Sequence, residues 1–300
     1  MNTNSKAIIL LLRRIIAFVI DAAILFSIGY VLSLFLSDIF SELKLWGRLI
    51  GLIIAVLYFG IFNSNILYGH TIGKLIVRIK VVDSEGKYIS IIKSILRSLI
   101  YIIPYFVLFI FSQSSNVPYL LRVLENLIPF GIGGIIIYLF IFNWKTHQSL
   151  HDIIVNTYVV DLNNNVSNES KSISLFHYIF CSIYFVILLI LFSLIEFNSA
   201  SNSVLKELPL LEKEILKSNE FHDVRATLLQ TDNEKILIIH TFPNNKIDNY
   251  KDHSKLLSLR IYKLFNEFDT MRINYNYGFN IGLYWSGSQY HMIYKISDFK

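Results

Sequence analysis

Long apolar runs separated by short polar stretches dominate the first two thirds of the chain. A run of about 20 apolar residues is long enough to cross a bilayer as a helix. The fourth run also contains Arg122, Glu125 and Pro129, so a broken or tilted helix remains an alternative there. The pattern predicts five membrane segments, namely Ile15–Leu36, Leu49–Ile66, Leu99–Phe111, Leu121–Phe142 and Leu175–Ile195.

The composition agrees with a membrane protein. Hydrophobic residues make up 54% of the 300 residues and charged residues only 16%, whereas soluble domains carry roughly 25% charged residues. The net charge of +5 requires no nucleic-acid partner, because cytoplasmic loops of membrane proteins are rich in Lys and Arg. The single cysteine, Cys181, excludes an intramolecular disulfide and a Cys-based zinc cluster.

The distribution of basic residues predicts the orientation. With a cytoplasmic N-terminus, eleven Lys and Arg residues precede the first segment or lie in the inner loops, and three lie in the outer loops. Positive residues favour the cytoplasmic side. Five segments would then place the C-terminus outside the cell.

After about residue 198 the pattern becomes that of a soluble domain. Amphipathic stretches predict helices at Val204–Lys217 and Asp248–Phe268. Alternating stretches predict strands at Val224–Leu229, Ile236–Phe242, Ile273–Leu283 and Tyr290–Ile296. This order suggests an antiparallel sheet with helices on one face. The tyrosines of the last strands belong either to the sheet core or to a ligand-binding aromatic face.

The predicted fold class is therefore a membrane all-α helical bundle of about five transmembrane segments, followed by a small α+β soluble domain. Its parts are a four-segment domain over residues 1–162, a polar linker over 163–172, a fifth helix over 173–197 and an extracytoplasmic domain over 198–300.

The polar loop at residues 68–97 has an order of its own. Gly69 and Gly73 predict a tight backbone turn, and an anion site beside Lys74 is the alternative. A strand around Ile79–Val81, a DSEG turn and an amphipathic helix into the third segment follow. The sequence GHTIGK is not a phosphate-binding P-loop, because Leu75 follows the lysine. The loop's basic residues fit contact with anionic lipids at the cytoplasmic face.

Asp21 is a carboxylate inside the first apolar run, seven residues after Arg14. Residues seven apart lie on one helix face, so both can belong to one polar stripe that points into the bundle. Ionisable residues within the membrane commonly mark function. Two interpretations remain: a carboxylate that binds a proton or a cation, and a structural ion pair that fixes helix packing.

Four sequence pieces in order and spacing resemble the RDD family of bacterial membrane proteins. They are RIIAFVID at Arg14–Asp21, GHTIGKLIVRIKVVDSEG at Gly69–Gly86, LR at Leu96–Arg97, and LHDIIVNTYVV at Leu150–Val160. The likeness covers about Arg13 to Asp161, about half of the chain. The Arg and two Asp for which the family is named correspond here to Arg14, Asp21 and Asp152. The resemblance implies a bacterial cell membrane location and a transport role, with cation/proton exchange in some members.

The leading hypothesis is transport of a small solute or cation through a polar cluster of Arg14, Asp21, Arg97 and Asp152. Asp21 would exchange the proton or cation, and Asp152 would close the cluster or cap a short helix. His151 could titrate near neutral pH. The alternative is a non-catalytic anchor or assembly protein that presents the outer domain. No enzyme motif, cofactor site or metal site is expected; a homodimer is a plausible assembly.

Overall fold

The computed structural model describes residues 3–43, 46–107, 118–163, 173–201, 203–231 and 234–299. The chain divides into two compact units. The first unit comprises Met1–Leu108, Asn126–Ile190 and Asn280–Tyr284. The second comprises Phe109–Glu125, Leu191–Phe279 and Trp285–Lys300.

Apolar helices predominate in the N-terminal part of the chain, and a further apolar helix follows at Leu175–Ser201. Three of the described helical stretches are long and apolar enough to cross a membrane: Ile8–Leu43, Tyr119–Phe142 and Leu175–Phe197. The helices are α1 (Thr3–Leu43), α2 (Gly47–Phe62), α4 (Ile91–Val107), α5 (Tyr119–Asn126), α6 (Gly133–Phe142) and α8 (Leu175–Ser201). Helix α2 is apolar but shorter, so a count of five spans stays a prediction. Residues 108–111 of the predicted third segment, and 164–172 of the linker, lie outside the described residues.

The predicted fourth segment is one helical rod with a local irregularity. A π-helical stretch, Leu127–Ile132, joins α5 to α6 and contains Pro129. Proline lacks the N–H that an α-helix needs, and π-bulges are one way in which a helix absorbs such a defect. The alternative of a broken helix is therefore not observed: the stretch is continuous from Tyr119 to Phe142, with the π-helical turns as its irregularity.

The polar loop at residues 68–97 folds against α1. A short helix α3 (Ile72–Ile76) precedes strand β1 (Ile79–Asp83), and the strand and the DSEG turn agree with the prediction. Helix α7 (Leu150–Ile154) precedes strand β2 (Thr157–Asp161), which pairs antiparallel with β1. Strand β2 was not predicted from the sequence, because the strand with which it pairs, β1, lies almost 80 residues earlier in the chain. A small hydrophobic core surrounds the β1–β2 pair and consists of Ala17, Ile79, Val81, Ile89 and Val159.

The second unit contains a four-stranded sheet in the order β3-β4-β5-β6. Its elements are α9 (Ser203–Leu216), β3 (Phe221–Gln230), β4 (Lys235–Pro243), α10 (Tyr250–Leu264), β5 (Thr270–Asn280) and β6 (Trp285–Lys295). The expectation of a fully antiparallel sheet is wrong, since β4 and β5 are parallel. The intervening helix α10 provides the crossover that parallel strands require.

The aromatic residues of the last strands divide between core and surface. Tyr275 is fully buried in the hydrophobic core of the second unit, which includes Ile215, Ile261 and Ile273. Tyr290 is half exposed and stacks on Tyr250 with ring centroids 4.3 Å apart. Sheet packing therefore accounts for the inner tyrosines.

Candidate functional site

The helical unit contains a cavity of about 500 Å³ with charged groups in a mainly apolar wall. Its ionisable lining residues are Arg14, Asp21, Lys74, Arg97 and His151. The apolar and aromatic wall includes Phe18, Phe59, Tyr101, Pro104, Ile136, Ile137 and Phe140. The fold thus brings the predicted polar residues together around one space, while their role in transport stays a prediction.

Asp152 is the hub of the ionic contacts and is fully buried. One carboxylate oxygen accepts hydrogen bonds from Arg97 Nε at 3.0 Å and Nη2 at 2.7 Å. The other accepts from Arg14 Nη2 at 2.8 Å. This single carboxylate therefore ties α1, α4 and α7 together, with two guanidinium groups sharing one negative charge.

Asp152 also organises its own backbone. Its carboxylate accepts from the N–H of Ser149 at 3.2 Å, three residues before it, and from the hydroxyl of Thr157 at 3.2 Å. The capping and ionic interpretations of Asp152 therefore hold at the same time. Burial alone would raise the pKa of Asp152, but the positive charges of Arg97 and Arg14 outweigh it and hold that pKa below the ordinary value.

Arg14 is fixed by two further contacts. It donates a hydrogen bond to the carbonyl oxygen of His147, and its guanidinium lies over the Phe140 ring at 4.8 Å from the centroid. The positive φ of 57° at His147 belongs to the loop that presents this carbonyl. A cation over an aromatic face gains electrostatic stabilisation in a dry site.

Asp21 is held by neutral donors and not by Arg14. The hydroxyl groups of Tyr58 and Thr71 donate to its carboxylate at 2.7 and 2.6 Å, and the backbone N–H of Gly73 donates at 2.9 Å. Among the described residues, no cationic side-chain nitrogen lies within 4.0 Å of the Asp21 carboxylate, the distance that defines an ion pair. Of the two interpretations of Asp21, the structural ion pair is therefore not the one observed, because Arg14 pairs with Asp152, whereas Tyr58 of α2 and the N-terminal turn of α3 supply the donors to Asp21.

Two glycines allow these close approaches. A Cβ at Gly73 would lie 2.2 Å from the carbonyl oxygen of Ala17 and 2.9 Å from Asp21, so only glycine lets α3 reach α1. Gly69 has a φ of +73°, and its Cβ would lie 2.4 Å from the carbonyl oxygen of Val81. The turn interpretation agrees with the geometry of Gly69, whereas Gly73 lies within helix α3 and serves close packing instead of a turn.

Lys74 is the third cation of the cavity. Its ammonium donates to the side-chain oxygen of Asn63, and Thr71 caps the N-terminus of its helix. Burial and the positive charge of Arg97 lower the pKa of Lys74 well below its ordinary value, although Asp21 and Asp152 oppose the shift. The ammonium can therefore lose its proton more readily than an exposed lysine.

His151 does not titrate near neutral pH in this setting. Burial lowers its pKa to about 3; Asp152 opposes this, and Arg97 and Arg14 add to it. Its Nε2 lies 3.5 Å from Asp152, and its Nδ1 has no hydrogen-bond partner among the described residues. The imidazole is consequently a neutral group in the cavity wall, in contrast to the sequence-based expectation.

Several polar partners were missed by the sequence reading. Tyr58 and Asn63 lie within the second apolar run, near its end, where a tyrosine and an asparagine resemble ordinary interface residues. Thr157 belongs to the unpredicted strand β2. Thr71 offered the clearest signal, since it stands between the two glycines of the polar loop.

Residues 10–156 match the model of the RDD family, within a few residues of the range over which the motifs resemble it. No curated protein and no solved structure gives a significant match to the chain. The matched region holds every ionisable residue of the cavity and the hub residue Asp152. The chain is a membrane protein of the RDD family, with its family region at residues 10–156.

Proposed function

We propose that this protein is a proton-coupled membrane transporter of a small solute, and that the cavity in the helical unit is its solute site. The observation that carries the proposal is the meeting of three cationic and two anionic side chains around a space of about 500 Å³. Charged groups are costly within a bilayer and usually face a polar pathway or one another. Pockets of about 300–1,000 Å³ suit small ligands.

In this proposal five spans cross the bacterial cell membrane, with the N-terminus inside and residues 198–300 outside. The apolar helices and the distribution of Lys and Arg support this arrangement. Two of the five, α2 and α4, are short, and an α-helix rises only 1.5 Å per residue. A homodimer or local thinning of the bilayer would accommodate them.

Lys74 is the proposed proton carrier. Asp21 was expected to exchange the proton, but its three donors satisfy it as a fixed acceptor. Lys74 faces the cavity with a lowered pKa and stands among groups of both signs. A solute that changes the charge near this ammonium changes its proton affinity, and this linkage couples the two. Monovalent cation/proton exchange is one form of such coupling, with the cation taking the ammonium's place beside Asn63.

The test is a flux assay in proteoliposomes that contain an internal pH-sensitive dye. Proton and Na⁺ gradients are imposed separately, and small organic anions are tested in the same way. We expect solute-dependent proton movement in the unaltered protein and its loss in Lys74→Gln. Lys87→Gln is the matched control, because Lys87 lies in the same loop but pairs with Glu85 at the surface.

Absence of solute-dependent proton movement in the unaltered protein, with protein insertion confirmed, would contradict transport. Equal coupling in Lys74→Gln and the unaltered protein would remove Lys74 from the mechanism.

The second candidate is an anchor or assembly role. It is favoured by the second unit's own hydrophobic core, in which side chains of α9, α10 and the sheet pack together. This role predicts no flux at all. It also predicts that deletion of residues 197–300 removes the cellular phenotype while the helical part still inserts.

A further inference from the structure

The ionisable groups of the cavity do not balance when all are charged. Arg14, Lys74 and Arg97 contribute three positive charges, whereas Asp21 and Asp152 contribute two negative ones; His151 is neutral at pH 7. The groups that face Lys74 from the surrounding elements are Arg14 and Asp21 on α1, Arg97 and Tyr101 on α4, and His151 and Asp152 on α7. One positive charge therefore remains, and an uncompensated buried charge is strongly destabilising.

Both carboxylates are already occupied. Asp152 accepts from two guanidinium groups, and Asp21 accepts from two hydroxyls and a backbone N–H. A cation entering the cavity would have to compete with these donors for the carboxylates. An anion would need no such competition, because among the described residues Lys74 has N–H donors to spare at the cavity.

The donors with spare capacity lie on Lys74. An ammonium carries three N–H donors, and among the described residues one of them binds Asn63. The remaining wall is apolar and aromatic, with Phe18, Ile136 and Phe140 among its residues. The cavity thus has a cationic end, and the rest of its wall is apolar.

We infer that the cavity binds a small organic monoanion, in which a carboxylate or phosphate-type head meets Lys74 and the arginines, and an apolar body fills the wall of Phe18, Ile136 and Phe140. This inference rests on the proposed function, since it names the class of solute. A soluble carboxylate and the head group of an anionic lipid share this chemistry. Binding neutralises the excess charge and favours the protonated form of Lys74, so the anion and one proton bind together.

The experiment measures binding by calorimetry to the full chain in phosphatidylcholine nanodiscs. Three probes share one ring and differ only in charge: benzoate, neutral benzamide and cationic benzylammonium. We expect benzoate to bind about tenfold or more tightly than the other two, because a hydrogen bond to a charged group discriminates by about this factor. The affinity for benzoate should fall as the pH rises through the pKa of Lys74. Equal affinities, or tighter binding of benzylammonium, would overturn the inference without any variant.

Variants then locate the site. Lys74→Gln should weaken benzoate binding about tenfold or more, whereas Lys87→Gln should leave it unchanged. Ile136→Trp should fill the cavity and abolish binding, while Ile141→Trp, on the same helix but outside the lining, should not. If neither Lys74→Gln nor Ile136→Trp weakens benzoate binding, the anion binds elsewhere and the inference is overturned.

Two further comparisons separate the possible outcomes. Nanodiscs that contain phosphatidylglycerol should abolish benzoate binding if the natural occupant is a lipid head group, and should retain it if the occupant is a soluble anion. Loss of binding in both kinds of disc overturns the inference. Benzoate binding without any flux would preserve the site and reject transport, whereas Na⁺-driven proton flux without benzoate binding would reject the anion alone.

Discussion

Asp152→Asn should destabilise the helical unit severely. Asp152 is fully buried and is the shared anion for Arg14 and Arg97. An asparagine has the same shape but offers one acceptor oxygen and one NH₂ group, so one of the two guanidinium groups would face a donor. Removal of one partner from a buried ion pair costs about 3–5 kcal/mol, because the remaining charges stay buried.

The chain provides a matched control one residue away in α1. Arg13 pairs with Asp161 at 2.6 Å, but the two side chains are 40% and 44% exposed. Exposed ion pairs contribute only about 0.2–1 kcal/mol. Asp161→Asn should therefore lower the free energy of unfolding by less than about 1 kcal/mol, although it removes a comparable contact.

The assay is reversible denaturation of both variants in the same detergent, with Arg14→Gln and the double variant Arg14→Gln/Asp152→Asn completing a cycle. The double variant should be less destabilised than the sum of the two single variants, since each single change leaves an unpaired charge. Equal effects of Asp152→Asn and Asp161→Asn, or simple additivity in the cycle, would refute the claim that Asp152 is the buried hub.

Three other predictions concern the surrounding groups. Gly73→Ala should destabilise the fold by about 1–3 kcal/mol or more, because the added methyl meets the carbonyl oxygen of Ala17 at 2.2 Å; Gly133→Ala, where the nearest atom is 3.8 Å away, should be neutral or stabilising in the same denaturation assay. Tyr58→Phe removes a donor to buried Asp21 and should cost about 1–3 kcal/mol in the same denaturation experiment; no loss would mean that water replaces the hydroxyl. Burial raises the pKa of Asp223 to about 7, partly opposed by Arg225. The folded state therefore keeps this proton while the unfolded chain has already released it, so stability is greatest at acidic pH and falls as the pH rises to about 7. Asp223→Asn should remove that fall, as measured by hydrogen-exchange protection of β3 at pH 5 and 8, and an unchanged pH dependence would contradict the assignment.

The membrane character and much of the site could be predicted from the sequence, for identifiable reasons. Apolar runs of spanning length report their environment directly, and Arg14 and Asp21 stood out as charged residues at the end of such a run and within it. The strands and helices of the second unit show period-2 and amphipathic patterns, which are local properties of the chain.

The pairing of these residues could not be predicted in the same way. Arg14 and Asp21 share a helix face, but the partners of Asp21 are set by α2 and by the start of α3, fifty residues away, and that of Arg14 by α7. The parallel pairing of β4 with β5 likewise depends on the path of α10 across the sheet. The titration of His151 depends on burial and on the charges around it, which no local pattern reports.

The most direct test of the transport account compares proton-coupled flux in proteoliposomes of the unaltered protein, Ile136→Trp and Ile141→Trp, at equal insertion and equal stability. The account predicts flux in the unaltered protein and in Ile141→Trp, and none in Ile136→Trp, whose indole fills the cavity. Undiminished flux in Ile136→Trp would show that the solute takes another route, and the charged cavity would not be the transport site.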